Sequence, residues 1–210
     1  MIKTPHMSSP IFSHFRRRDR LIYQVLTAMD DFNPLAPTHP PEEYFSELSS
    51  SIVGQQLSTT AAHTIYTRLV KLLAGDVTAA RLLAADDQAM RDCGLSWAKV
   101  RSVKDLAAKV ANHQLKLNRL TTMSDAQVIA ELTKVKGIGQ WTAEMFLIFA
   151  LGREDIFSHG DLGLRRAMEG LYGLGQLPSP AQADQISTKW RPYRSYGCLA
   201  LWHTLDNAPI

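Results

Sequence analysis

Apolar residues recur at helical spacing through most of the chain, and nowhere does a strict alternation last long enough to predict a strand. Leu21, Ile22, Val25 and Met29 predict a first helix over residues 15–29, after a polar, proline-bearing stretch over 1–13 that is expected to be loose. Phe45, Leu48, Ile52 and Val53 form one face of a helix over 42–56. Ala62, Ile65, Tyr66, Leu69 and Leu73 mark another over 59–74, stopped by Gly75. One or two short helices fit 77–93. Ser96 then caps a helix through residue 113, with Val100, Val103, Leu106 and Val110 inward and Lys99, Arg101 and Lys104 outward. The run Ser124-Asp125-Ala126-Gln127 is a capping box. Residues 141–150 are apolar nearly all round, which predicts a helix through the interior. The chain is therefore expected to be all-α, and it has no repeat of fixed period.

The breaks between these helices carry the chemistry. Lys136-Gly137-Ile138-Gly139 is a very short turn in which two glycines let the backbone reverse, at positive φ if needed. It leaves amide donors at the start of the next helix, where the positive dipole end suits one phosphate. Ile138 is expected to tuck between the two helices. Gly54-Gln55-Gln56-Leu57-Ser58 is either a surface turn or a probe that enters the gap left by an unstacked base. Asp161, which opens a helix after the loop 152–160, is either an N-cap alone or a carboxylate that faces developing positive charge. Four prolines over 33–41 mark a crossing between domains.

Composition narrows the class without choosing a function. With 210 residues, 45% of them hydrophobic, the chain can bury one large core or two smaller ones. A net charge of +3 and a pI near 8.9 permit an anionic partner without demanding one. The run Arg16, Arg17, Arg18 and Arg20 either solvates a surface or grips DNA. Cys93 and Cys198 are expected to be buried thiols in a reducing compartment, since no Cys/His group has metal spacing. No apolar run is long enough for a bilayer and no signal segment is evident, so no membrane partner and an intracellular site are expected: cytoplasm and nucleoid in a bacterium, nucleus in a eukaryote.

The stretch VKGIGQWTAEMFLIFALGREDIFSHGDLGLRR resembles the helix-hairpin-helix, Gly/Pro-rich loop and aspartate of the HhH-GPD DNA glycosylase superfamily, in its DNA-3-methyladenine glycosylase II-like branch. The likeness extends back to Ile52-Val53-Gly54-Gln55-Gln56-Leu57-Ser58 and forward to Trp190-Arg191-Pro192-Tyr193-Arg194-Ser195-Tyr196 and Trp202. It implies a two-lobed, all-helical fold with a central cleft, residues 14–40 with 153–210 forming one lobe and 41–152 the other. It implies monofunctional hydrolysis of the N-glycosidic bond of alkylated purines, of 3-methyladenine and 7-methylguanine type, flipped out of damaged double-stranded DNA by a monomer. Asp161 becomes the catalytic carboxylate, and Trp141 and Trp202, which read by themselves are equally core tryptophans, become base-binding aromatics. Gly137, Ile138, Gly139 and Thr142 become DNA contacts, and Gln55, Gln56, Leu57 and Ser58 the probing segment. A monovalent cation, Na+ or K+, at the backbone of Gly137 and Gly139 is the one inorganic partner implied, with no further cofactor.

Several residues depart from the family's pattern. Members that also cut the backbone carry a lysine where this chain has Trp141, which implies no lyase step. The four cysteines that hold an iron–sulfur cluster in some relatives are missing from the sequence. Met145 and Leu162 fall at base-binding positions where a bacterial member has tyrosines, so the pocket is expected to be less aromatic. Two other readings stay open at this point: a glycosylase for hypoxanthine or an oxidised purine, and a DNA-binding hairpin module without chemistry.

Overall fold

The computed structural model of the protein describes residues 9–30 and 32–206. In chain order the helices are α1 (Pro10–Arg18), α2 (Arg20–Ala28), α3 (Tyr44–Gly54), α4 (Thr59–Leu72), α5 (Ala79–Ala84), α6 (Asp87–Asp92), α7 (Trp97–Ala111), α8 (Asp125–Leu132), α9 (Gln140–Met145), α10 (Leu162–Tyr172), α11 (Pro180–Ser187) and α12 (Arg194–Asp206). There is no strand among the described residues, as the spacing of apolar positions predicts. None of these helices is long and apolar enough to cross a membrane.

Two expectations at the N-terminus are corrected. Residues 9–13 are not loose: Ser9 caps α1, Pro10 takes the first-turn position that suits proline, and Ile11 and Phe12 are buried. The rest of that expected loose segment, 1–8, lies outside the described residues. The single helix expected over 15–29 is instead two helices that meet at Asp19. Its extended backbone (φ −154°) ends α1, where its N–H donates to the Phe15 carbonyl, while its carboxylate accepts from the Ile22 N–H at 3.3 Å to begin α2. One short polar residue serves both ends, so the apolar spacing runs on undisturbed.

The chain divides into two compact units, one of residues 1–36 with 152–210 and one of 37–151. In the first, Phe15, Ile22, Leu26, Leu164, Met168 and Trp190 are almost fully buried in one core. Burying each such side chain contributes about 1.5–3 kcal/mol. Asp19 sits in that core because its second oxygen is fully engaged, accepting from the Trp190 indole at 2.7 Å, the Tyr172 hydroxyl and Lys189 Nζ at 3.0 Å. Burial raises the pKa of this carboxyl, but those donors outweigh it and hold it below the ordinary value.

In the second unit Leu48, Ile52, Leu69, Val103, Leu132 and Leu147 are buried. The expected capping box is present, Ser124 and Gln127 each bonding the other's backbone. The helix expected wholly in the interior over 141–150 is corrected in part. It begins as α9 and widens into a π-helical segment, Phe146–Ala150. Trp141 and Phe149 on it are 49% and 47% exposed. An all-apolar sequence permits burial on every side without requiring it.

Candidate nucleic-acid interface and candidate catalytic carboxylate

The hairpin lies in the unit of residues 37–151. Gly137 adopts φ +82°, and a Cβ there would lie 2.5 Å from Ser102 Oγ on α7, so both backbone and space demand glycine. Gly139 does not need that freedom. It is extended (φ −93°, ψ 178°), it is the N-cap of α9, and a Cβ on it would meet nothing within 4 Å. No contact among the described residues accounts for its missing side chain. What it does is leave the start of α9 uncovered, with no side-chain cap over the first turn. Ile138 is buried, as expected of the residue between the glycines, and its N–H is already bonded to the Val135 carbonyl at 3.1 Å. Asp105 on α7 anchors the turn from below by accepting the Lys136 N–H at 2.8 Å, and Lys109 holds the same carboxylate. Burial pushes the Asp105 pKa up and these donors pull it below the ordinary value.

Beside the hairpin, residues 54–57 form a tight turn in which the Leu57 N–H donates to the Gly54 carbonyl at 3.2 Å. Gln55 has φ −51° and ψ 132°, and Gln56 follows at φ +57°. That is the conformation of a type II turn, whose third residue is ordinarily glycine or asparagine. Holding a glutamine there is strained by roughly 1 kcal/mol. The side chains of this segment are not equivalent. Gln55 Nε2 donates to the Gly137 carbonyl at 2.8 Å and lies 3.4 Å from Thr142 Oγ1, so it ties the turn to the hairpin. Ser58 caps α4 by accepting from the Ala61 N–H. Gln56 and Leu57 stand exposed at the tip. A hollow of ≈ 580 Å³ opens here, lined by Gln55, Gln56, Leu57, Gly137, Trp141 and Met145 among others.

Asp161 lies in the other unit, 9% exposed. It is the N-cap of α10, its Oδ1 accepting the Leu164 N–H at 2.8 Å. Capping therefore fixes the carboxylate's orientation and does not by itself decide against a chemical role. The loop leading to it is clamped by the first turn of α12. Ser195 Oγ donates to the Arg153 carbonyl at 2.6 Å and accepts the Ile156 N–H at 3.0 Å, Arg194 pairs with Asp155 at 2.8 Å, and the Tyr196 hydroxyl donates to Glu154 at 2.7 Å. Leu162 is 44% exposed, and Trp202 is half-buried against this unit's core.

The sequence-predicted residues thus fall into two sets. Gln55, Gln56, Leu57, Gly137, Thr142, Trp141 and Met145 are brought together around one hollow, while Asp161, Leu162 and Trp202 belong to the other unit. Sequence reasoning missed two contributors. Gly163, next but one to Asp161, has little room for a Cβ, which would lie 3.0 Å from Asp161 Oδ1 and 3.3 Å from Leu205. Lys99, expected to point outward, instead places Nζ 2.7 Å from the Val53 carbonyl and 2.8 Å from that of Gln55, and burial lowers its pKa. Both cysteines are buried. No group of three or more His, Cys, Asp or Glu among the described residues is placed to hold a metal ion.

These features match a known family. The model described as HhH-GPD superfamily base excision DNA repair protein covers residues 49–192. The crystal structure of a DNA-3-methyladenine glycosidase from Bacillus halodurans superposes with a TM-score of 0.83 at 35% identity, covering 96% of this chain and 91% of that one. A Schizosaccharomyces pombe 3-methyladenine DNA glycosylase, solved in complex with abasic DNA, gives 0.76 at 28% identity, covering 95% and 98%. DNA-3-methyladenine glycosylase of Saccharomyces cerevisiae is 35% identical over 165 residues, which are 73% of this chain and 56% of that protein. The chain spans little more than half the length of that relative, and the same share of a Bacillus subtilis one. By the extent of the family match and the identity to these relatives, the chain belongs to the HhH-GPD superfamily of base excision DNA repair proteins.

Proposed function

We propose that the chain is a monofunctional DNA glycosylase that hydrolyses the N-glycosidic bond of alkylated purines flipped out of duplex DNA. The observation that carries this is Asp161: a nearly buried carboxylate, oriented by the Leu164 N–H, in a chain similar to proteins that act on 3-methyladenine. An alkylated purine is already cationic, so the bond from C1′ breaks with its electron pair going to the base and no acid is needed. The positive charge left on the sugar is what a fixed carboxylate stabilises, because attraction that grows toward the transition state lowers the barrier. Water then adds to C1′ and gives up a proton, leaving a free base and an abasic site.

The other residues support this chemistry. Trp141 and Trp202, one in each unit, are aromatics of the kind that attract a cationic base. With an indole and not an amine at residue 141, there is no Schiff base at that position and the DNA backbone stays intact. Gly139 leaves the start of α9 open to a phosphate. The carbonyls of Gly137 and Gly139, which accept from Gln55 and from the Ala143 N–H, would hold a monovalent cation, and that cation would add positive charge beside the phosphate. The protein works as a monomer where the genome is, in the nucleoid or the nucleus.

Met145 lines the hollow beside Trp141 with a flexible thioether in place of an aromatic ring. The test is chromatography of bases released from duplex DNA treated with a methylating agent. Free 3-methyladenine and 7-methylguanine, with strands unbroken until alkali is added, are expected. Strand breaks without alkali, or no released base, would contradict the proposal.

A further inference from the structure

The turn 54–57 is held in a strained shape by residues that do not belong to it. Gln56 at φ +57° stands at the exposed tip, and a short turn of this kind relaxes unless its flanks are pinned. Lys99 reaches from the first turn of α7 and donates to two carbonyls, those of Val53 near the end of α3 and of Gln55 within the turn. Both are acceptors that a helix end leaves without intrahelical partners, and a charged donor serves them at about twice the strength of a neutral one. The Gln55 side chain fixes the opposite side by bonding the hairpin at Gly137. We infer that Lys99 is a positioning residue for base flipping: it locks the 54–57 turn so that Gln56 and Leu57 project as one rigid tip into the space the base vacates. This rests on the glycosylase reading above.

A helix C-cap that only stabilises the fold would affect every substrate alike. A lysine that positions the tip matters most where a base pair must be opened, because the flipping cost is least for a base already unstacked. The experiment therefore compares single-turnover release of 7-methylguanine from two duplexes, one with the lesion paired to cytosine and one with it in a one-nucleotide bulge. The intact chain is set beside Lys99→Met and Lys99→Arg, with thermal unfolding measured for each. Lys99→Met is expected to slow release from the paired site by about tenfold or more and from the bulge markedly less, with Lys99→Arg recovering most of the loss. Equal slowing on both duplexes, or none on either, would overturn the inference while leaving the glycosylase reading intact. No release by the intact chain from either duplex would instead overturn that reading and this inference with it. Should Lys99→Met fail to fold, Lys99→Gln, which keeps a polar but shorter side chain, serves the same comparison with the same expected difference between duplexes.

Discussion

Gly163 leaves room for the carboxylate of Asp161: a Cβ built on the glycine would lie 3.0 Å from Oδ1, the same oxygen that accepts the Leu164 N–H at 2.8 Å. The glycine stands in the first turn of α10, where alanine is the better helix former by roughly 0.8–1.0 kcal/mol in helix interiors. Displacing the carboxylate also loosens the Leu164 cap, which offsets that gain. Gly163→Ala is therefore expected to change stability by no more than about 1 kcal/mol and to slow single-turnover base release by about tenfold through displacement of the carboxylate. Unchanged release would show that the carboxylate absorbs the contact without loss.

The two glycines of the hairpin make a second contrast. Gly137 is fixed by its left-handed backbone and by Ser102, so Gly137→Ala is expected to destabilise the fold by about 1–3 kcal/mol in urea unfolding. Gly139 is extended and meets nothing, so Gly139→Ala is expected to leave stability within about 0.5 kcal/mol while weakening binding to duplex DNA. Equal DNA affinity for the intact chain and Gly139→Ala would remove the start of α9 from the interface.

Acid sensitivity follows from three carboxylates, Asp19 and Glu131 buried and Asp105 partly buried, with Glu131 accepting from Lys134 Nζ and the Lys116 N–H. Asp19, Asp105 and Glu131 are each raised by burial and then lowered further by their donors, so all three titrate below their ordinary values in the folded protein. The unfolded chain then binds more protons as pH drops. Their stabilisation is complete above the ordinary carboxylate range and is lost as pH falls through it, from about pH 5 downward. Urea midpoints between pH 3 and pH 6, values in the ordinary range of such titrations and chosen to bracket it, should fall with pH. Asp19→Asn should flatten part of that slope, and Asp19→Ala should destabilise by about 3 kcal/mol by leaving its buried partners unmatched. A midpoint independent of pH across this range would contradict the assignment.

What the sequence revealed and what it hid have physical causes. The hairpin, the Ser124 capping box and the break at residues 54–58 depend on neighbours within a few positions, so local spacing exposes them. Asp19 was invisible as a break because one side chain closes α1 and opens α2 without disturbing the apolar pattern. Lys99 and Ser195 act on backbone about 40 residues away in sequence, at 44 and 42 positions for Gln55 and Arg153 respectively, and neighbouring positions do not reveal those partners. Gly163 looked like an ordinary helix glycine because its reason is a side chain in the folded state.

In the proposed reaction Asp161 supplies the chemistry. Single-turnover release of 3-methyladenine from methylated duplex DNA by the intact chain and by Asp161→Asn, with DNA affinity measured for both, tests this. Asparagine keeps an oxygen for the Leu164 N–H, so the helix start is preserved while the charge is removed. Release by Asp161→Asn is expected to be slowed by about a hundredfold or more at nearly unchanged affinity. Release by Asp161→Asn at the rate of the intact chain would contradict it.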